Sequence, residues 1–284
     1  MQAEQVTEPH AHHGEGPVFH RDWPGLRWVD MHAGDVLTLD QRSGRVTRRH
    51  VGSFAAALRP RRGGGAVLAL ERCFALADDD LTEIRPWPEV FSDTGLRMNE
   101  GGCDPDGRFY CGSMAYAETT GAGCLHRLDR DGSVTTILRN VTVSNGLAWS
   151  PDGAKAYYVD SPTHRVDAFD YRDGELSRRR TIAEIDSDLG KPDGMTVDAD
   201  GDLWVAVYGG GVVHHYSPEG ELRDVITVPA PRVTACTFGG ENFDELFITT
   251  SRVDTDLDTH PRAGALFRAT PSARGLLPLP YLGT

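Results

Sequence analysis

Polar turns and apolar strands alternate along this chain in a recurring unit. The clearest copy follows Asp193, where the turn Asp198-Ala199-Asp200-Gly201-Asp202 leads into the run Leu203-Trp204-Val205-Ala206-Val207. Acidic residues with glycine punctuate a hairpin, and the apolar, aromatic run after them reads as a buried strand. The same order returns at Asp104-Pro105-Asp106-Gly107 before Arg108-Phe109-Tyr110, and at Ser150-Pro151-Asp152-Gly153 before Ala156-Tyr157-Tyr158-Val159. Looser copies stand at residues 21–25 before 26–29, at 61–65 before 66–70, and at Gly239-Gly240 with Asn242 before 246–248. With Trp28, Val67, Tyr110, Tyr158, Trp204 and Phe247 as markers, the spacing is roughly 39 to 48 residues, which is the length of a four-stranded propeller blade. The pattern predicts an all-β fold, a six-bladed β-propeller with a central channel.

No break in composition marks a second core, so residues 14–284 are expected to form a single propeller domain behind a flexible N-terminal lead-in, residues 1–13. A hydrophobic content of 39% and a mean hydropathy of −0.38 describe a globular chain, with no apolar run near the 18 residues that a membrane helix needs. The N-terminus does not resemble a secretory signal, and a cytoplasmic address is expected. The net charge of −13, from 29 basic and 42 acidic residues, argues against nucleic acid or an anionic membrane as partner, since both call for a basic footprint. The five cysteines are odd in number and lack the spacing of a zinc site or a redox pair, so reduced, mostly buried thiols are expected, including Cys103 and Cys111 on either side of a turn.

Rotation relates the blades of a propeller, so residues at equivalent offsets converge on the channel. Glu15, Asn99, Asn145 and Asp193 stand about 11 to 13 positions ahead of Trp28, Tyr110, Tyr158 and Trp204. Gly14 and Gly16 flank Glu15 and permit close backbone approach. Arg97 and Asn99, two apart, share one side of a strand and together could grip hydroxyls or a carbonyl of a polar ligand. Asn145-Gly146 by itself reads first as a turn signal. At the matching place blade two has residues 53–58, Ser-Phe-Ala-Ala-Ala-Leu, and blade six residues 233–240; neither offers a charged group. The ring holds oxygen donors only, which favours Ca²⁺, Mg²⁺ or Mn²⁺ over structural zinc, and two carboxylates balance a divalent charge. His10, His12 and His13 form a metal-suggestive tract, set aside because a loose terminus cannot fix ligand geometry. No Gly-x-Ser-x-Gly elbow signals a serine nucleophile, and His164, His214 and His215 have no recognisable acid-base partner in sequence.

At these residues the sequence resembles the senescence-marker-protein, gluconolactonase and luciferin-regenerating-enzyme family. The resemblance covers nearly the whole chain and rests on Gly14-Glu15-Gly16-Pro17, the Arg97-Met98-Asn99 region with Gly101 and Gly112-Ser113-Met114, residues 144–153, Pro192-Asp193-Gly194-Met195 and Phe238-Gly239-Gly240. It implies a six-bladed propeller with one divalent cation (Ca²⁺, Mg²⁺, Mn²⁺ or Zn²⁺) bound through Glu15, Asn145 and Asp193, and a substrate held through Arg97 and Asn99. Asn99 thereby moves from the ligand ring to the substrate side. Glu100 stands where members commonly have Asp, and the acidic residue that follows the Gly-Ser-Met segment in members falls here at Glu118, taken as a further substrate contact.

The expected activity is that of a metal-dependent sugar lactonase, opening an aldonolactone to its acid by attack of water on a polarised carbonyl with Asp193 as base. The alternatives are a propeller hydrolase of another ester or an organophosphate, and a non-catalytic cation-binding propeller. The expected partner is a small-molecule sugar lactone, without nucleic acid or membrane, on a monomer or weak homo-oligomer.

Overall fold

The computed structural model describes residues 1–284 and folds the six units into six four-stranded antiparallel sheets. The inner strands, in blade order, are Gly14–Phe19, Ala55–Pro60, Leu96–Cys103, Ser144–Trp149, Lys191–Val197 and Val233–Gly239. Each marker residue lies on the next strand of its blade: Trp28 on Gly25–Asp30, Val67 on Ala66–Leu70, Tyr110 on Phe109–Ala115, Tyr158 on Lys155–Asp160, Trp204 on Leu203–Tyr208 and Phe247 on Glu245–Thr250. All six markers are buried. These strands are covered on both faces by neighbouring blades, which is why they read as unbroken apolar runs and not as alternating ones.

The recurring acidic turn has a local cause. Asp198 accepts the backbone N–H groups of Asp200 and Asp202 through Oδ1 and the Trp204 indole N–H through Oδ2, at 2.9–3.0 Å. Asp104 likewise accepts the Arg108 N–H at 2.8 Å. A carboxylate that closes its own turn and anchors the following strand explains why Asp opens these units.

Residues 1–13 do not stand apart as a lead-in. Glu4–Gln5 pairs antiparallel with Phe267–Ala269 and supplies the outer strand of blade six, so the two ends of the chain close the ring. The segment is then held against blade one, where Asp30 Oδ1 accepts the N–H groups of His12 and His13, each at 3.0 Å. The objection to the histidine tract therefore falls, because His13 is fixed from both sides of its peptide.

At its other end the chain crosses one mouth of the channel. Gly275 donates to the Phe243 carbonyl at 2.7 Å and Leu282 to the Gly107 carbonyl at 2.9 Å, so the strap between them runs from blade six to blade three. All five cysteines are free thiols, and Cys103 and Cys111 face Phe109 and Gly101 across the hairpin, not one another. No helix is long and apolar enough to cross a membrane.

Candidate active site

The inner strands are not regular where they carry chemistry. Pairing with the second strand slips after Glu15, across Asn99-Glu100, across Asn145-Gly146 and across Asp193-Gly194. A bulge of this kind frees a residue from the ladder and re-aims its side chain. Asn145-Gly146, which alone suggests a turn, is such a bulge inside the strand Ser144–Trp149. The glycine after the ligand-type residue also lets strands approach: a Cβ on Gly146 would sit 2.6 Å from the Asp193 carbonyl oxygen.

One cavity of about 380 Å³ at the open mouth gathers Glu15, Arg97, Asn99, Glu118, Asn145 and Asp193. Glu15, Asn99, Asn145 and Asp193 are all buried. Asn145 donates from Nδ2 to Ser161 Oγ at 3.0 Å, and its Oδ1 has no partner. Asp193 Oδ1 is also buried without a partner. Asn99 differs: its Oδ1 accepts the Arg97 guanidinium at 2.6 Å and its Nδ2 donates to the Ser144 carbonyl at 2.8 Å. The Arg97 guanidinium lies 5.0 Å from the ring centroid of Phe54 and 5.8 Å from that of Tyr116. Blade two, chemically silent in sequence, thus supplies the aromatic platform under this cation.

Three carboxylates share this interior. Burial, then the charges of Asp193 and Glu100, hold the Glu15 carboxyl well above the usual range. Burial and the Glu100 charge do the same to Asp193. Glu100, one residue past Asn99, is pushed up to about 7 by burial, and its Oε2 has no partner. Buried carboxylates are ordinarily paired or hydrogen-bonded. Unpartnered oxygens on Asn145 and Asp193, beside a second acid at Glu15 and with Arg97 acting on both acids only from beyond ion-pair distance, are the kind of donor set a hard divalent ion takes. These residues suit such an ion, and they offer it neither thiolate nor a convergent set of imidazoles.

Several residues on the cavity wall were either set aside or not singled out in the sequence, His13 with its tract being among the former. The His13 ring stacks on His32 at 4.7 Å, with its Nδ1 2.7 Å from Ser251 Oγ and its Nε2 4.0 Å from Glu15 Oε1. Burial, then the neighbouring charges of His32 and Arg97, lowers its pKa well below the ordinary value, so it is neutral at pH 7. Lys191, Tyr208 and Arg232 complete the far side. Glu118 stands at the mouth, half exposed, and pairs with Lys191 at 3.7 Å.

Two other places invite the same question. Asp198, Asp202 and His215 bring three donor groups within 4.8 Å of one another. Their atoms are already engaged, with Asp198 bound to its turn and Trp204, and Asp202 bound to His215 at 2.9 Å and to Arg223. This cluster buttresses blade five. The cavity at the opposite end of the channel, about 480 Å³, is roofed by Leu276, Leu277, Pro278 and Leu279, and Arg59, Glu100, Ser150, Asp152, Thr196 and Thr237 are among the polar residues of its wall. The unpartnered oxygens of Asn145 and Asp193 lie instead on residues of the open mouth.

Comparison with known proteins agrees with this geometry. Residues 13–252 match the family described as the SMP-30/Gluconolactonase/LRE-like region. The chain is 35% identical to regucalcin of Bos taurus over 297 residues, spanning 100% of this chain and 99% of that protein. It is 33% identical to a Bacillus subtilis protein that carries the provisional name sugar lactone lactonase, over 95% of each chain. The crystal structure of a calcium-binding protein, regucalcin, from Agrobacterium tumefaciens superposes with a TM-score of 0.93 at 25% identity, covering 99% of this chain and 97% of that one. A six-bladed ring with its oxygen donors on the bulged inner strands, matched over this span, places the chain in the SMP-30/gluconolactonase/LRE-like family.

Proposed function

We propose that this protein is a divalent-cation-dependent lactonase that opens a sugar lactone to its acid. The observation that carries the reading is the pairing, in one cavity, of unpartnered buried oxygens on Asn145 and Asp193 with the guanidinium of Arg97. A site built only to hold a cation gains nothing from a second cation beside it, whereas a site for a polar substrate does. Glu15, Asn145 and Asp193 would hold the ion. When bound, it supplies the Lewis-acid charge that polarises the ester carbonyl and stabilises the oxyanion of the transition state.

The protein's own residues do the rest. Arg97, locked by its bonds to Asn99 and to the Met98 carbonyl at 3.0 Å, presents a fixed donor face to ring hydroxyls. Asp193 accepts the proton of the attacking water on the carboxylate oxygen that does not hold the ion. As the ring C–O bond breaks, that proton passes to the departing alkoxide oxygen, and the acid leaves with one water added. An activated ester suits a carboxylate base of this kind better than an amide does.

The test is hydrolysis followed as proton release on chelator-treated protein, with glucono-1,5-lactone and related lactones and with Ca²⁺, Mg²⁺, Mn²⁺ or Zn²⁺ restored singly. Turnover that depends on the cation and is lost in Asp193→Ala supports the reading. Tight cation binding with no turnover of any lactone overturns it in favour of a binding propeller or of a hydrolase for another ester.

A further inference from the structure

Two places before each inner position, on the inner strand or just ahead of it, stands a second residue nearer the mouth; five of the six line the cavity there, and the sixth, Phe54, has its ring centroid 5.0 Å from the Arg97 guanidinium. Blade by blade, the lower layer is Glu15, Ala56, Asn99, Asn145, Asp193 and Thr234. The upper layer is His13, Phe54, Arg97, Val143, Lys191 and Arg232. Oxygen donors crowd the lower layer, and nitrogen bases occupy four of the six upper places.

Two of those bases lack an acidic partner. Arg97 bonds only to Asn99, a carbonyl and the Met31 sulfur. Arg232 donates to the Tyr208 hydroxyl at 2.8 Å and to the Asp254 backbone carbonyl at 2.7 Å, with its guanidinium 5.0 Å from the Tyr208 ring centroid. Neither forms an ion pair. Lys191 meets only Glu118, a contact between half-exposed groups that water screens. With Glu15 and Asp193 balancing a divalent ion, Arg97, Lys191 and Arg232 outnumber the two remaining acids of the cavity wall, Glu118 and Asp254, by one charge.

The room to use that excess is adjacent. An open groove of about 630 Å³ runs outward from the cavity, shares Lys191, Tyr208, Arg232 and Asp254 with it, and adds His164, His260 and one further acid, Asp256. A molecule seated on the lower layer can therefore extend past Arg232.

Resting on the lactonase reading, we propose that the substrate is an acidic lactone, carrying a carboxylate or phosphate on the carbon chain beyond the ester, and that Arg232 with Lys191 binds this anion and sets specificity. A planar guanidinium already oriented by two bonds presents its remaining N–H groups to such a group without losing side-chain freedom. The overall charge of −13 repels polyanions at long range, but it acts weakly on a small anion that is held against a local cationic layer across less than a Debye length.

The experiment has a catalytic arm and a binding arm. In the first, kcat/KM is compared for glucono-1,5-lactone, glucaro-1,4-lactone and 6-phosphoglucono-1,5-lactone. The acidic compounds are expected to exceed the neutral one by about 10-fold or more, and the better of the two identifies the anion. In Arg232→Gln the acidic-to-neutral ratio should fall by about 10- to 100-fold, the range of a charge-assisted hydrogen bond, and Arg232→Glu should invert it. In the second arm, calorimetry on the Ca²⁺-loaded protein compares glucarate with gluconate, which differ in the second carboxylate alone. Glucarate should bind more tightly, and Arg232→Gln with Lys191→Gln should erase the difference. A neutral lactone preferred over both acidic ones, glucarate bound no more tightly than gluconate, or a preference that survives in the double variant overturns the proposal. If no lactone turns over, the lactonase reading fails while the calorimetry still judges the anion site.

Discussion

Asp193 concentrates the conflict on which the site is built. Its carboxylate is buried, lies among two other acids and has one oxygen with no partner. Like charges in a poorly solvated interior destabilise one another, and a bound cation or a retained proton relieves them. Asp193→Asn should therefore raise the thermal midpoint of the chelator-treated protein while abolishing the stabilisation that added cation brings, and should lower kcat by about 10² to 10⁴, the usual contribution of a positioned base. Thermal scans with and without Ca²⁺, read beside initial rates, check both halves; a midpoint lowered without cation would mean that Asp193 is satisfied in some other way. Arg97 belongs to the same argument from the opposite sign. Its guanidinium bridges Asn99 and the Phe54 face, a geometry an ammonium cannot reproduce, so Arg97→Lys should lower kcat/KM by about 10-fold or more in spite of the retained charge. Glu15, Asn99, Asn145 and Asp193 were legible in the sequence because each precedes a recognisable strand by one hairpin. His13 was noticed but set aside with a terminus taken to be loose, and Lys191 and Arg232 were not singled out, since each precedes the motif-bearing residues and only the closed ring turns them toward one another.

The inner strands show why motif and geometry coincide. Each ligand-type residue occupies or borders a bulge, and Gly16, Gly101, Gly146 and Gly194 follow within two places. At Gly146 the need for hydrogen alone is steric: an added Cβ would meet the Asp193 carbonyl oxygen at 2.6 Å and the Met195 Cγ at 3.0 Å. Gly146→Ala should accordingly cost about 1–3 kcal/mol, the range for overpacking against fixed backbone. It should also weaken cation affinity, because it pushes blade five away from Asn145. Denaturant unfolding and a Ca²⁺ titration separate the two effects, and a variant with wild-type stability and affinity would show that the strands can separate freely. The six repeats were visible in the text of the chain because turn chemistry and buried second strands leave strong local marks. The bulges left only an Asn-Gly and a few stray glycines, and hydrogen-bond register across a sheet is not a local property. The closing strand Glu4–Gln5 is likewise two exposed residues whose meaning comes entirely from Phe267–Ala269 at the far end of the chain.

Closure of the ring forces the six inner strands together, and with them Glu15, Glu100 and Asp193, so the protonation of the interior becomes a property of the whole fold. Glu100 titrates near 7 in the folded protein against an ordinary 4.5, with burial as the main cause, and Glu15 and Asp193 are shifted in the same direction. A carboxyl with a raised folded pKa keeps its proton in the native state over a range where the unfolded chain has released it. Its contribution is fully present below the unfolded value and disappears as pH rises through the folded value. The cation-free protein should therefore lose stability from about pH 4.5 to about pH 7, the interval between the two values for Glu100. A divalent ion competes with those protons, so the stabilisation it adds should be small at the acid end and should grow toward neutrality. Thermal midpoints of chelator-treated and Ca²⁺-saturated protein across this interval should diverge, with the chelated curve falling and the loaded curve flatter. Glu100→Gln removes one of the three carboxyls and should make the chelated curve shallower across this interval, while the slope due to Glu15 and Asp193 persists. Parallel curves across the interval would show that no cation shares the channel with these three acids.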